Sequence, residues 1–372
     1  MVVARPLRYQ LFRGAQVTKR VAAIDCGTNS IRLLIADLNT ESDDPERWRG
    51  ASDPQTPPPA PLTDVTRQMR IVRLGEGVDR TGRLSAAALD RTMTALSEYA
   101  GLIADARPAA VRMVATSATR DAANAQEFTD RVIEILGVAP DVITGDEEAW
   151  LSFTGATREL AGTPLEGECL PPYLVTDIGG GSTEFVLGGT DEGDRGGPIS
   201  PAEVPRGQVP RGQVPRGQVQ GRSVNIGCVR LTERHLHGDP PLPAEIAATI
   251  HDIDAALGQV SAAVPAEKAR TLVGLAGSVT TVAGIALGLG EYDSARIHHA
   301  RVSAARVHEI ADDLLAMTRA ERAAIPVMHP GRVDVIGAGA LILDRIMTSF
   351  GFAEVLVSEH DILDGIAWSL TV

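Results

Sequence analysis

The stretch LVTDIGGGSTEFVLG at residues 174–188 joins two apolar runs through a glycine-rich turn, with an aspartate near the end of the first run. Apolar runs of this length, separated by glycines, predict a strand, a tight turn and a returning strand. AAIDCGTNSIRLLIAD at residues 22–37 has the same pattern. Both stretches read Asp-x-Gly-x-x-Ser, beginning at Asp25 and at Asp177. Two copies in register, one in each half of the chain, predict a duplicated domain with a cleft between the copies.

The two turns contain residue types that suit phosphate and metal binding. Glycine lets backbone N–H groups approach a phosphate closely, and serine and threonine hydroxyls add donors. An aspartate at a strand end is a suitable ligand for Mg²⁺, so Asp25 and Asp177 are predicted to hold a metal. The residues predicted to contact phosphate in the two loops are Gly27, Thr28, Asn29, Ser30, Gly179, Gly180, Gly181, Ser182 and Thr183.

Predicted strands and helices alternate along the chain, which indicates an α/β fold. With 372 residues, the chain is long enough for two domains. Both glycine turns join two strands, whereas Rossmann and P-loop proteins place phosphate at the start of a helix. No GxxxxGKS or GxxxxGKT sequence is present, so those two classes are disfavoured. Helices are predicted at residues 84–103, 124–136, 146–160, 302–317 and 332–350.

The formal net charge of −13 bears on the choice of partners. An acidic surface repels nucleic acid and anionic membrane, so neither is expected to bind. It also repels a phosphorylated substrate, which therefore requires a divalent metal and local arginines at the site. The three cysteines have no CxxC spacing, and no apolar run suits a signal peptide or a membrane span. These features predict a reduced, cytoplasmic protein.

Three segments have the composition of loops or extensions. Residues 1–20 are predicted to form a basic N-terminal extension, and residues 41–63, rich in Asp, Pro and Ser, a surface loop. Residues 190–222 form a low-complexity insert in which Val-Pro-Arg-Gly-Gln occurs three times between residues 204 and 218. The proline and glycine of each unit disfavour helix and central strand, so a loop between two strands is predicted.

Seven segments resemble the exopolyphosphatase/guanosine pentaphosphate phosphohydrolase family, within the sugar kinase, heat-shock protein and actin superfamily. The combination of DIGGGSTE with GDEEA upstream is highly specific to that family. The matching segments are AAIDCGTNSIRLLIAD (22–37), VATSATRDAANAQEF (114–128), ITGDEEAWLSF (143–153), LVTDIGGGSTEFVLG (174–188), NIGCVRLTER (225–234), GLAGSVTTVAG (274–284) and VSEHDILDGIAW (357–368).

The resemblance implies an α/β fold of two actin-like (ribonuclease H-like) domains with an interdomain cleft. Domain I is then expected at residues 21–147 together with a C-terminal helix at 358–372, and domain II at residues 148–357. The chain is similar to the short members of the family, which lack an additional helical C-terminal domain. A homodimer is an expectation from the resemblance alone.

The resemblance also implies roles for the acidic residues. Glu148, the second glutamate of GDEEA, is the expected general base. Glu147 points about 100° away from it on a helix, so only one of the two can face the cleft. Asp177 is expected to hold the metal or the attacking water. Glu184, two residues past Ser182 on the same strand face, is expected to point into the cleft as a further catalytic acid.

Cationic side chains and a third turn complete the expected site. Arg120, in the TSATR segment, is an expected catalytic residue because arginine makes bidentate contacts to phosphate; a structural ion pair is the alternative. Arg32 shares a strand face with Ser30 and is expected to contact phosphate. Gly277 and Ser278 form the turn where nucleotide-binding relatives hold adenosine, and they are expected to line the cleft.

Two further residues have competing interpretations. Arg230 lies either in a channel for a polyphosphate chain or in a salt bridge between the domains. His360-Asp361 resembles a short pair of metal ligands. It lies at a predicted helix start, however, where an aspartate commonly caps the helix. The eight histidines form no set of metal ligands in the sequence.

The function implied by the resemblance is exopolyphosphatase activity, the hydrolysis of terminal phosphoanhydride bonds of inorganic polyphosphate with Mg²⁺ or Mn²⁺ as cofactor. Hydrolysis of guanosine pentaphosphate, as in the stringent response, is the first alternative because the catalytic residues are shared. A non-catalytic polyphosphate or nucleotide sensor is a further alternative. The GDEEA segment argues against a sugar or acetate kinase.

Overall fold

The computed structural model describes residues 18–39, 62–158, 160, 169–189 and 219–370. Two β-sheets dominate this part of the chain. The first has five strands in the order β3-β2-β1-β4-β5, in which β1 is antiparallel to β2 and parallel to β4. These strands are β1 (Thr18–Cys26), β2 (Ser30–Asn39), β3 (Leu62–Ile71), β4 (Ala110–Ala115) and β5 (Asp141–Val142).

The second sheet has six strands in the order β10-β11-β9-β6-β7-β8. Strand β6 is antiparallel to β7 and parallel to β9. It therefore occupies the same position in the second sheet as β1 does in the first. The shared topology supports the internal repeat predicted from the sequence. The strands are β6 (Tyr173–Ile178), β7 (Thr183–Gly188), β8 (Val219–Val224), β9 (Thr271–Leu275), β10 (Arg301–Ser303) and β11 (Glu354–Val357).

Thirteen α-helices of the described residues cover the sheets. They are α1 (Val78–Thr81), α2 (Ala86–Ala106), α3 (Ser117–Arg120), α4 (Ala125–Leu136), α5 (Gly145–Thr157), α6 (Cys228–His235), α7 (Pro243–Ala263), α8 (Ala276–Ala286), α9 (Ser294–Ile297), α10 (Ala304–Ala316), α11 (Arg319–Ala323), α12 (Ile336–Phe350) and α13 (Ile362–Trp368). None of the helices in the described ranges is long and apolar enough to cross a membrane.

Each sheet is buried between helices because its central strands are apolar on both faces, as in β1, where the run Val21–Cys26 is fully buried. Helices α2 and α4 pack on one face of the first sheet, and α13 on the other. We call the first sheet with these helices lobe I. The second sheet, with α7, α8, α10 and α12 in its main core, is lobe II.

Helices α5 and α13 approach each other backbone to backbone. A Cβ added at Gly365 would lie 2.1 Å from the carbonyl oxygen of Leu151, and one at Gly155 would also collide with the backbone of α13. This close packing ties the C-terminal helix to α5. The predicted boundary between residues 147 and 148 falls inside α5, and the limits of the two domains stay a prediction.

Three sequence predictions about loops need correction. The basic extension was predicted to end at residue 20, but β1 begins at Thr18. The loop predicted at 41–63 gives way to β3 at Leu62, and the insert predicted at 190–222 ends in β8, which begins at Val219. Both β3 and β8 are edge strands in which half of the residues are exposed and nearly all the others are only partly buried, so they lack the apolar pattern that reveals buried strands. The Val-Pro-Arg-Gly-Gln repeat lies outside the described residues.

Candidate active site

The two glycine turns are hairpins of matching geometry. The N–H of Gly27 donates to the carbonyl of Ser30 at 3.0 Å, and the N–H of Gly179 donates to that of Ser182 at 3.1 Å. The first hairpin joins β1 to β2, and the second joins β6 to β7. The predicted pair of strand–turn–strand units is therefore confirmed.

Both hairpins face one cleft between the lobes, which encloses about 740 Å³ including its part open to solvent. Carboxylates, loop residues and one end of α8 meet there. The predicted residues that line the cleft are Asp25, Thr28, Asn29, Ser30, Arg32, Glu148, Asp177, Gly179, Gly180, Gly277 and Ser278. The structure thus brings together side chains and loops from both halves of the chain.

Glu148 faces this cleft from the first turn of α5, which Thr144 caps by accepting a hydrogen bond from the N–H of Glu147. Its side chain is buried, with 8% of the residue exposed, and Arg120 donates to it at 3.1 Å. Burial raises the pKa of Glu148 to about 7; Arg120 opposes the rise, and the charges of Asp177 and Asp25 add to it. Glu147 instead accepts a hydrogen bond from Arg112 at 2.8 Å, outside the cleft.

Two more acids lie near Glu148. Asp177 accepts a hydrogen bond from Ser152 at 2.7 Å, and burial raises its pKa to about 6. Glu184 is opposite Asp177 across the hairpin and accepts a hydrogen bond from Ser223 at 2.8 Å. Burial, together with the charges of Glu148 and Asp177, raises the pKa of Glu184 well above its usual range.

In the first hairpin the equivalent position holds a cation instead of an acid. Arg32 is opposite Asp25 and donates to its carboxylate at 2.6 and 2.9 Å. Arg32 also forms an ion pair with Asp361, which caps α13 by accepting from the N–H of Leu363 at 3.0 Å. The capping role predicted for Asp361 is confirmed, but the sequence pattern did not reveal its pairing with Arg32, 329 residues away in the chain.

Several predicted residues are turned away from the cleft. Arg120 donates to the carbonyl of Ile143 and to Glu148, so its guanidinium is held by the protein. Thr183 is fully buried, and its hydroxyl donates to the carbonyl of Ile226 at 2.7 Å. Gly181 packs against Ser117 and Thr28 on the far side of the hairpin. Ser182 and Glu184 are buried, each 2% exposed, and are not among the residues lining the cleft.

Sequence reasoning missed Arg332, which lines the cleft from lobe II. Its guanidinium donates to the hydroxyl of Thr281 at 3.1 Å and lies on the backbone of Gly277, where an added Cβ would be 2.3 Å away. Within the described residues it takes part in no ion pair, and burial lowers its pKa. A lone arginine in a turn has no sequence pattern that could have marked it.

The donor set fits a divalent metal of the Mg²⁺ type. Asp25, Glu148 and Asp177 are buried around one cleft with raised pKa values, and Oδ1 of Asn29 is buried there without a hydrogen-bond partner in the described residues. No group of three or more acidic, histidine or cysteine side chains in the described ranges is arranged to hold a metal alone. Mg²⁺ is commonly held by one or two carboxylates together with substrate phosphates, which this arrangement allows.

Comparisons with known proteins identify the family of the chain. A family model described as the Ppx/GppA phosphatase family matches residues 55–371. The chain is 44% identical over 360 residues to exopolyphosphatase 2 of Mycobacterium tuberculosis, covering 94% of this chain and 98% of that protein. It is 27% identical over 349 residues to the guanosine-5'-triphosphate,3'-diphosphate pyrophosphatase of Aeromonas salmonicida, covering 94% of this chain and 59% of that protein. The crystal structure of an exopolyphosphatase-like protein matches with a TM-score of 0.78 and 39% identity, covering 94% of this chain and 97% of that chain.

Proposed function

Because the chain belongs to the Ppx/GppA phosphatase family, we propose that it is an exopolyphosphatase, which hydrolyses the terminal phosphoanhydride bond of inorganic polyphosphate and releases orthophosphate. The observation that carries the proposal is the pair of facing Asp-x-Gly hairpins around one cleft, with Glu148 buried in it at a pKa of about 7. A general base works best with a pKa near the working pH.

The loops supply the groups that hold the terminal phosphoryl group. Backbone N–H groups at Thr28, Asn29 and Gly180, with the hydroxyl of Ser30, offer donors to its oxygens. The carboxylate of Glu148 accepts a proton from the attacking water as the water oxygen bonds to the terminal phosphorus. The bridging P–O bond breaks, and the shortened chain leaves with the bonding electrons.

The remaining acids and the metal have supporting roles in this proposal. Asp25 and Asp177 would hold Mg²⁺ or Mn²⁺, which when bound neutralises charge on the phosphate oxygens. Glu184, whose pKa is raised well above its usual range, adds no second negative charge beside Glu148 while it stays protonated. Arg120 holds the carboxylate of Glu148 in place through its hydrogen bond at 3.1 Å.

Arg332 favours an inorganic chain over a nucleotide. A partly buried guanidinium without a carboxylate partner gains most from an anion, and a second or third phosphate of the chain supplies one. Its guanidinium lies on Gly277. Nucleotide-binding members of the actin superfamily hold adenosine at the corresponding turn, so Arg332 occupies space that a nucleotide base would need. Guanosine pentaphosphate hydrolysis is the second candidate, because a relative is named for that activity.

The test is phosphate release by the purified protein with Mg²⁺, in parallel on tripolyphosphate, long polyphosphate, guanosine pentaphosphate and ATP. We expect release from the inorganic chains to exceed release from either nucleotide. Release mainly from guanosine pentaphosphate would assign the protein to the second candidate and to the stringent response. No release from any substrate would overturn the hydrolase and favour a sensor. A cytoplasmic location and a homodimer are proposed from the family resemblance alone.

A further inference from the structure

Helix α6 of lobe II is fixed to the second hairpin. The N–H groups of Cys228 and Arg230 donate to the carbonyls of Gly179 and Gly180, each at 3.0 Å. Nε of Arg230 donates to the carbonyl of Gly181 at 2.7 Å. Because the helix start and the loop share these bonds, α6 moves with the hairpin that holds phosphate.

The same helix reaches across the cleft to lobe I. Arg230 donates through Nη1 to Asp79 and through Nη2 to Asp121, the latter at 2.7 Å. Arg234 donates to both carboxylate oxygens of Asp79 at 3.0 and 3.1 Å. One turn along, the carboxylate of Glu233 accepts the backbone N–H of Gly77 at 3.1 Å. Every one of these contacts breaks when the lobes separate.

The ion pair between Arg230 and Asp79 is less exposed than a typical surface pair. Only 12% of the Arg230 side chain and 23% of the Asp79 side chain are exposed, so solvent screens them poorly. Burial alone would raise the pKa of Asp79, but hydrogen bonds from Arg234 and Arg230 outweigh it, and the pKa is lowered. The two guanidinium groups converge on one carboxylate in the way that arginines converge on a phosphate.

The contact between the lobes continues from the ion pairs to the phosphate loops. The hydroxyls of Thr28 and Ser117 are 2.8 Å apart, and Gly181 packs directly on both residues. No room is left there for a phosphate chain, so a chain can reach this side of the cleft only when the lobes part. Parting removes Asp79 and Asp121 and leaves Arg230 and Arg234 without those partners.

We propose that Asp79 is an internal stand-in for a substrate phosphate, and that Asp79, Arg230 and Arg234 form an autoinhibitory latch that holds the cleft shut until a polyanionic chain displaces the carboxylate. The identity of the chain as polyphosphate rests on the proposed function, whereas the latch itself does not. Such a latch gives an acidic protein a pair of cations that face outward only when the cleft opens.

The test compares Asp79→Asn with Asp252→Asn, without turnover. Asp252 pairs with the same Arg234 at 2.9 Å but lies in lobe II, so its loss removes one charge and leaves the contact between the lobes intact. Small-angle scattering at low salt, without ligand, measures the opening. We expect a larger radius of gyration for Asp79→Asn and the wild-type radius for Asp252→Asn. The wild-type protein should expand as salt screens the pairs.

Binding of methylenediphosphonate, a non-hydrolysable analogue of pyrophosphate, provides the second measurement. Asp79→Asn should bind it roughly three- to tenfold more tightly than the wild type at low salt, because the ligand no longer competes with a carboxylate. A wild-type radius together with wild-type affinity in Asp79→Asn, or equal changes in Asp252→Asn, would overturn the latch. If Asp79→Asn proves unstable, the salt-dependent expansion of the wild-type protein alone decides. None of these readouts requires hydrolysis, so failure of the proposed function leaves the test intact.

Discussion

Neighbouring glutamates in α5 show how position on a helix separates a candidate catalytic residue from a structural one. Glu147 and Glu148 are chemically identical, yet the first forms a partly exposed ion pair with Arg112 and the second is buried in the cleft beside Arg120. The difference in solvation accounts for the raised pKa of Glu148. One residue of helical rotation therefore decides which carboxyl group can act as a base.

Replacing Glu148 by Gln should leave the fold intact and reduce turnover of polyphosphate by about 10²–10⁴-fold, the usual contribution of a positioned base. The matched control is Glu147→Gln, which we expect to retain turnover within about twofold of the wild type because Glu147 lies outside the cleft and cannot reach the attacking water. Steady-state phosphate release measures both. Wild-type turnover in Glu148→Gln would remove this residue from the role of base.

The pH profile should report the same carboxyl group. Because the base must be deprotonated, kcat/KM should increase as the pH rises through about 7, and it should be low at pH values below that. Arg120 lowers the pKa of Glu148 against the effect of burial. The substitution Arg120→Gln should therefore shift the rise of kcat/KM to higher pH. A rise that stays at the same pH in the Arg120 variant would contradict the assignment.

At the scale of elements, the two hairpins are alike in backbone and different in charge. Each pairs an aspartate with the residue opposite it on the return strand, and that residue is Arg32 in lobe I but Glu184 in lobe II. The first hairpin thus carries a compensated aspartate, whereas the second adds an acid beside Asp177. A duplicated element has acquired two different electrostatic environments around a single cleft.

The start of α8 provides a prediction at this scale. A methyl group at position 277 would meet the guanidinium of Arg332 at 2.3 Å, so Gly277→Ala should displace that side chain. We expect KM for tripolyphosphate to rise roughly tenfold. The fold should be retained, because the flexible end of the Arg332 side chain can move away from the added methyl group. Gly258→Ala in α7, where an added Cβ meets nothing within 4 Å, is the control and should leave KM unchanged. An unchanged KM in Gly277→Ala would argue against a role for Arg332 in binding the chain.

For the whole molecule, the net charge and the cleft must be considered together. The formal charge is −13, and buried carboxylates from both lobes meet in the cleft, where burial raises their pKa values. A divalent cation bound in the cleft is expected to stabilise these carboxylates in their charged form. The negative charge also explains why an enzyme for anionic chains needs arginines at the cleft, since long-range attraction is absent.

Adding Mg²⁺ without substrate should therefore raise the melting temperature, because a ligand that binds the folded state stabilises it. Excess chelator should abolish phosphate release and return the melting temperature to its metal-free value. Thermal unfolding and phosphate release with and without chelator measure the two effects. Asp177→Asn should lose most of the stabilisation by Mg²⁺; full stabilisation in that variant, or full activity in chelator, would exclude the metal role proposed for this aspartate.

The features that the sequence alone determined are those encoded by neighbours in the chain. The two strand–turn–strand units, their duplication and the α/β class were predicted correctly, because glycine turns and apolar runs form locally. The two actin-like halves were predicted from the family resemblance of the motifs, and the fold agrees. Glu148 was singled out by its motif and lies in the cleft as expected, although its role as base stays a prediction. Edge strands β3 and β8 were missed because their exposed residues carry no apolar period.

Only the tertiary structure decided which charged groups are paired. Asp361 meets Arg32 across 329 residues, Arg230 meets Asp79 across 151, and Arg332 has no carboxylate partner among the described residues. In this structure Arg230 forms a salt bridge between the lobes, one of the two roles expected for it, and Arg120 forms an ion pair with Glu148. Whether an arginine is held by an aspartate or left for a phosphate depends on what packs within about 4 Å of it, since an ion pair requires its nitrogen and oxygen atoms to lie that close. Residues far apart in the chain set that distance, and no local pattern records it.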